Sequence, residues 1–274
     1  MEGRKALCVG INSFKNYPDA ALRGCVNDAR QMAKLLKDFL GFKTADITTL
    51  TNSKATKKNI MNALKEMVLG AQKGKYTYLV FSLSSHGTQI ADDSGDEPDA
   101  ADEAFCPHDL AQKGNDWDPR YIIRDDELRD LFLQLPPNVL LEVYLDTCHS
   151  GTGLKAIDLL LTRQPRYLPP PSLLAFKRMQ NKKPRTLPAT LASAGLKQHI
   201  LWAACKDDQT SADAYIEGNW HGAFTFYFDK ALRAANGNAN RKELLKKVRE
   251  FLQSNDYNQI PQLEYQATGK GNLG

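Results

Sequence analysis

Long hydrophobic runs are missing from this sequence. No window approaches the roughly 18 apolar residues of a membrane-spanning helix. The first apolar stretch, Ala6 to Ile11, falls short of the roughly 7–15 residues of a secretory h-region, and no small-residue cleavage site follows it. Cysteine is scarce and scattered. Cys8, Cys25, Cys106, Cys148 and Cys205 are odd in number and include no CxxC pair, which argues against a zinc ribbon or a thioredoxin motif. A reducing cytoplasm is the expected compartment, and there a special cysteine must be justified by its reactivity. Charge of one sign is lacking too: 36 Lys and Arg against 32 Asp and Glu leave +4, too little by itself to imply a nucleic-acid binder. There is no internal repeat. A composition of 42% hydrophobic and 25% charged residues excludes global disorder and a collagen-like fibre. The 274 residues allow one large α/β domain or two small ones.

Strand and helix signals alternate along most of the chain. Residues 4–11 (RKALCVGI) read as a buried strand. Val26, Ala29, Met32, Ala33, Leu36 and Leu40 recur at helical spacing before Gly41, predicting a helix over 24–40. A strand over 46–51 follows, and Thr56 is placed to cap a helix running to about Leu69. Residues 76–83 (YTYLVFSL) are almost continuously apolar, as suits a strand covered on both faces of a parallel sheet. A helix over 125–135, strands over 139–145 and 199–205, and helices over 222–235 and 240–253 complete the series. Glu142 sits awkwardly in its strand. This alternation predicts a parallel, right-handed, three-layer α/β sheet.

Two stretches break the pattern. Residues 92–103 hold seven acids and no base. Their spacing is not that of an EF-hand, because Glu97 stands where the obligatory glycine belongs and Pro98 follows. Residues 154–198 hold nine Lys or Arg against the single acid Asp158, and six of the thirteen prolines. They read as a basic, Pro-rich surface insertion within one domain spanning 1–274, since so long a loop in a compact domain is commonly functional or disordered.

Two apolar strands end in chemically unusual runs: Leu83-Ser84-Ser85-His86-Gly87, and Leu145-Asp146-Thr147-Cys148-His149-Ser150-Gly151. In open α/β sheets ligands sit outside the carboxyl ends of the strands, so neighbouring strands would deliver His86 and Cys148 to one edge. A free thiol is mostly protonated at neutral pH and its thiolate is the nucleophile. An adjacent imidazole can take that proton and later donate one to a leaving amine. The N–H groups of Gly87 and Cys148 could form an oxyanion hole. On the residues alone, a buried structural cysteine and an unrelated loop histidine compete on even terms with this dyad. His149 is a rival base, but adjacent side chains on an extended segment point apart. Cys106 and His108 make too small a set for a metal site and are read as structural.

Ser84-Ser85-His86-Gly87-Thr88-Gln89, the acidic run DSGDEPDAADE, IIRDDEL and DTCHSGTG resemble, in that order, the metacaspases of the caspase-like clan. The resemblance extends to Gly24-Cys25-Val26-Asn27-Asp28-Ala29 and to WAACKDDQTSADA followed by GAFTFYFDKAL. It implies the caspase-haemoglobinase fold, a mostly parallel six-stranded sheet flanked by helices. It also implies a cysteine endopeptidase with His86 as base and Cys148 as nucleophile, cleaving after Arg or Lys. Cys25, Asp28, Ser84 and Asp146 match the positions that form the acidic pocket for the basic P1 side chain, which accords with the carboxylates a buried guanidinium requires.

Many metacaspases are activated by Ca2+, and Asp102, Asp125 and Asp126 match three of the aspartates that bind it. The fourth matching position is occupied by Lys155. The basic insertion offers Lys155, Arg163, Arg166, Lys177, Arg178, Lys182, Lys183 and Arg185 as points of self-cleavage, or as a cover over the cleft before cutting. The expected partners are protein or peptide substrates with a basic P1 residue, with no nucleic acid and no membrane, and the expected state is a monomer without a prodomain. The competing classes are a catalytically silent caspase-like scaffold and a calcium-sensing interaction domain.

Overall fold

The computed structural model of the chain describes residues 3–91, 101–148, 162–179 and 198–266. In chain order its strands are β1 (Arg4–Gly10), β2 (Ile47–Thr51), β3 (Tyr78–Ser84), β4 (Gly87–Ala91), β5 (Ala101–Phe105), β6 (Gln112–Lys113), β7 (Asp116–Trp117), β8 (Ile123–Arg124), β9 (Leu140–Asp146), β10 (Arg163–Pro165), β11 (His199–Ala203), β12 (Ala212–Ile216), β13 (Asn219–Gly222) and β14 (Gln262–Gln266). The helices are α1 (Cys25–Phe39), α2 (Lys57–Gln72), α3 (Asp125–Phe132), α4 (Leu173–Met179), α5 (Ala223–Ala234) and α6 (Arg241–Ser254).

The central sheet runs β14-β11-β9-β3-β1-β2. Its pairings are parallel except for β14, which lies antiparallel to β11. Side chains on a strand alternate between faces, and here both faces are apolar. Leu7, Val9, Leu79, Phe81, Leu83, Leu141 and Val143 pack under α2 and α3. Ala6, Cys8, Tyr78, Val80, Tyr144, Ile200 and Trp202 pack under α1, α5 and α6. The result is the three-layer α/β arrangement that the alternation predicts, with the mostly parallel six-stranded sheet that the resemblance implies. Thr56 caps α2, its hydroxyl accepting from the Asn59 N–H at 3.2 Å. Among the described residues no helix is long and apolar enough to cross a membrane.

Glu142 is fully buried, and its neighbours explain why an acid stands in a core strand. Its carboxylate accepts from Tyr78 Oη at 2.8 Å, Trp202 Nε1 at 2.8 Å, and Arg241 Nε and Nη2 at 3.0 and 2.8 Å. Burial works against the charge, but Arg241, Trp202 and Tyr78 outweigh it and hold the carboxyl below its ordinary range. Arg241 opens α6, so this pair fixes the last helix to the middle of the sheet.

The small antiparallel units escape sequence reading. They are the sheet β4-β5-β8, the pair β6-β7 and the sheet β10-β12-β13. Their strands are short, and several are polar. One expectation is corrected. Residues 162–179 are not merely a surface insertion, because β10 pairs antiparallel with β12 and Arg166 is wholly buried. A run of Lys, Arg and Pro reads as solvent-facing, but carboxylates from three distant segments make burial of this arginine tolerable.

Candidate active site

Parallel pairing in register sets the site. Ser84, the last residue of β3, lies opposite Asp146, the last of β9, and Gly10 of β1 lies opposite Ser84. The chains leaving β3 and β9 therefore carry His86 and Cys148 out at the same end of adjacent strands, two residues beyond that pair. Both are buried. His86 Nε2 lies 2.8 Å from the Ala20 carbonyl oxygen. A carbonyl only accepts, so Nε2 carries the proton and Nδ1 the lone pair. Buried Nδ1 has no hydrogen-bond partner among the described residues. Burial pushes the His86 imidazole down to about 4, against the opposing pull of the Ala20 carbonyl. Cys148 Sγ accepts from the Ser211 N–H and lies 3.8 Å from Cys205 Sγ. All five cysteines are free thiols.

The cleft holds a segment of the chain itself. β10 runs along β12, with Gln164 opposite Asp213. Arg166 N–H donates to the Ser211 carbonyl at 3.0 Å. The Arg166 carbonyl accepts from Gly87 N–H at 2.9 Å and from Cys148 N–H at 3.2 Å. On the far side, Leu168 N–H donates to the Gly87 carbonyl at 2.9 Å. The extended run thus crosses the two strand ends with one carbonyl held by the pair of N–H groups.

The Arg166 side chain points into an acidic pocket. Nη2 donates to Asp28 Oδ2 at 2.6 Å and to Asp213 Oδ1 at 2.8 Å. Nη1 lies 3.1 Å from Asp146 Oδ1 and 3.2 Å from the Asp146 carbonyl oxygen. Other donors hold the three acids in place. Gly222 N–H binds Asp28, Ser211 Oγ and Thr225 bind Asp146, and the N–H groups of Arg23 and Gly24 bind Asp213. Burial pushes the Asp28 carboxyl up to about 7, with Arg166 opposing and neighbouring Asp146 adding to the rise. Cys25 is fully buried close enough to feel Arg166 and all three acids, and its thiol is held well above its ordinary range, chiefly by burial. Ser84 is buried at the end of β3.

Of the residues expected to line the pocket, Asp28 and Asp146 touch the guanidinium, Cys25 is near enough to feel its charge, and Ser84 lies opposite Asp146 at the strand ends. Asp213 and Gly222 were missed. An acid between two alanines in a strand, Ala212-Asp213-Ala214, was the available signal for the first. At Gly222 any Cβ would press on Asp146 Oδ2 and the Arg166 guanidinium, so the bare backbone keeps the pocket open.

The self-cleavage candidates separate clearly. Arg166 fills the pocket, and Arg163 lies three residues upstream in β10. Lys177 is exposed on α4, and Arg178 belongs to the same helix. Lys155, Lys182, Lys183 and Arg185 lie outside the described residues, as does His149.

The candidate metal ligands converge in part. Asp102 in β5 and Asp125 at the start of α3 are both buried. Burial, then Asp102 and Asp126, push the Asp125 carboxyl up to about 8. Asp126 is ion-paired with Arg129. Among the described residues no group of three or more His, Cys, Asp or Glu side chains is assembled to hold a metal ion. Cys106 and His108 are structural. The Cys106 backbone brackets the His86 loop, and His108 Nδ1 meets the Ser13 carbonyl at 2.7 Å.

Residues 4–157 match a family model described as metacaspase, peptidase C14 domain. Metacaspase-1 of Pyricularia oryzae is 32% identical over 295 residues, covering 95% of this chain and 71% of the relative. Metacaspase-1A of Aspergillus niger is also 32% identical, over 95% of this chain and 69% of the relative. Among solved structures, protein GSU0716 of Geobacter sulfurreducens superposes with a TM-score of 0.69 at 25% identity, covering 98% of this chain and 95% of that one. Caspase-1 of Spodoptera frugiperda superposes with a TM-score of 0.62 at 13% identity, over 97% and 90% of the two chains. At that identity the likeness is one of fold.

Proposed function

Because the chain belongs to the metacaspases, a family of cysteine-type peptidases, we propose that it is an endopeptidase cutting after Arg or Lys, with His86 as base and Cys148 as nucleophile. The observation that carries this reading is Arg166. Its side chain meets three carboxylates while its carbonyl rests on two convergent N–H groups. A lysine ammonium, one bond shorter, carries the same charge and is expected to bind these carboxylates.

In the proposed reaction His86 Nδ1 takes the Cys148 thiol proton, and the sulfur adds to the carbonyl carbon. The carbonyl electron pair moves onto oxygen, where the Gly87 and Cys148 N–H groups hold it. Such donors contribute about 2.7–4 kcal/mol each in other enzymes. Collapse breaks the C–N bond, and His86 hands its proton to the leaving amine. Water then cleaves the thioester, again with His86 as base. Ala20 fixes the ring so that Nδ1 stays the basic atom.

Applied to the covering segment, the same reaction cuts the bond between Arg166 and Tyr167. Wild-type and Cys148→Ala protein incubated side by side test it: only the wild type should yield a fragment beginning at Tyr167, and Arg166→Ala should suppress that fragment. Equal fragmentation in both discards self-processing. Robust cleavage of peptides after Asp, with none after Arg, overturns the pocket assignment.

Calcium regulation is proposed on Asp102 and Asp125, whose buried oxygens suit a hard cation. Asp126 would have to leave Arg129 to join them. Calcium should raise the unfolding temperature, a chelator should reverse the rise, and Asp125→Asn should abolish it.

A further inference from the structure

The segment that fills the pocket also occupies the cleft upstream of it. With Arg166 at P1, Pro165, Gln164 and Arg163 stand at P2, P3 and P4. Gln164 Nε2 donates to the Ala21 carbonyl at 2.8 Å. Arg163 is held more elaborately. Its Nη1 donates to the Asp256 carbonyl at 2.7 Å and its Nη2 to the Asn255 carbonyl at 3.0 Å. Its guanidinium carbon lies 4.0 Å from the centre of the Tyr257 ring.

These acceptors belong to the turn that ends α6. The last carbonyls of a helix lack intrahelical partners, and the helix dipole places partial negative charge there, so a cation is favoured. Asp256 takes a left-handed φ of 58°, which turns the chain sharply. Tyr257 packs edge-on against Tyr227 with ring centroids 5.8 Å apart. Gln209 braces the next residues, donating to the Asn258 carbonyl at 2.8 Å and accepting from the Ile260 N–H at 2.9 Å. Tyr227 and Gln209 therefore brace the cradle from behind. It offers two carbonyl acceptors and a flat π face under the guanidinium, a set that suits a planar guanidinium better than a compact ammonium.

We propose that the α6 terminus, formed by Tyr257 with the carbonyls of Asn255 and Asp256, is an S4 subsite that selects arginine three residues before the scissile position. The inference rests on cleavage after Arg at the Cys148 centre. It extends the preferred substrate to two arginines separated by two residues, held about 10 Å apart on an extended strand. Because positions i and i+3 of a strand face opposite ways, the two side chains enter separate cradles. A carboxylate at P4 would face two carbonyl oxygens and the negative end of the helix.

Four fluorogenic peptides, X-Gln-Pro-Arg with X as Arg, Lys, Ala or Glu, test the assignment on the self-processed full chain. Arg should exceed Ala in kcat/KM by about tenfold, the scale of a cation–π contact with charge-assisted hydrogen bonds. Lys should fall between them, and Glu below Ala. Tyr257→Ala should bring the Arg/Ala ratio close to one while hydrolysis of the Ala peptide stays within about twofold, the pattern of a lost binding contact with intact chemistry. Tyr257→Phe, which keeps the ring face, should retain the preference. Equal hydrolysis of the Arg and Ala peptides by the wild type overturns the subsite and leaves the peptidase standing. A preference unchanged by Tyr257→Ala likewise overturns it. No hydrolysis of any of the four brings down the peptidase reading and the subsite with it.

Discussion

A guanidinium shut away from water is tolerable only where carboxylates and carbonyls meet its donors, and three aspartates do so at Arg166. Remove the arginine and those acids face one another. Like charges at close quarters raise one another's proton affinity, so the emptied pocket should titrate no lower than the value of about 7 that Asp28 has with Arg166 in place. The ionised carboxylates bind a basic P1 residue, and protonation weakens them. kcat/KM toward an Arg peptide should therefore fall as pH drops through about 7, with kcat less affected. A pH profile of the two constants checks this, and a flat profile between pH 6 and 8 would contradict it. Asp213→Asn keeps the shape but removes one charge; it should lower kcat/KM for the Arg peptide by about 10–100-fold, the worth of a charge-assisted contact, mainly through KM.

Among the elements, α6 has two duties at opposite ends. At its start Arg241 reaches through to Glu142 in the central sheet; just past its finish the turn at Asn255 and Asp256 presents the carbonyls that receive Arg163. Breaking a buried ion pair from one side commonly costs about 3–5 kcal/mol, so Arg241→Met should lower stability by about that amount in denaturant unfolding. Glu142→Leu with Arg241→Met together should recover much of the loss, because no uncompensated charge remains. The depressed carboxyl of Glu142 adds a pH signature. Its contribution is complete above the ordinary glutamate pKa of the unfolded chain, and is lost as pH falls through the lower folded value. Acid unfolding of the single variant should lack that component.

At the scale of the whole molecule, the legible parts of the sequence were those with long-range regularity. The runs 4–11, 76–83 and 139–145 announced buried parallel strands, and helical spacing from Val26 to Leu40 announced α1. His86 and Cys148 stood out because each follows such a strand. Asp213 did not, because it reaches Arg166 only through the fold, 47 residues away in sequence. Arg166 and Arg163 were visible among the basic candidates but not distinguishable from their neighbours. Pairing of β10 with β12 separates them, and no local pattern encodes that pairing. Glu142 looked misplaced until Arg241, 99 residues later, supplied its partner.

The occupant of the cleft is tethered, and this bears on how activity begins. While the bond after Arg166 is intact the segment is tethered on both sides, and a tethered ligand competes at an effective concentration on the order of millimolar, so before that cut dilute peptides cannot displace it and micromolar protein molecules have little chance of trimming one another. Onset should follow unimolecular kinetics, with a half-time unchanged over a hundredfold dilution of the protein. A half-time that shortens with concentration would mean the molecules cut in trans.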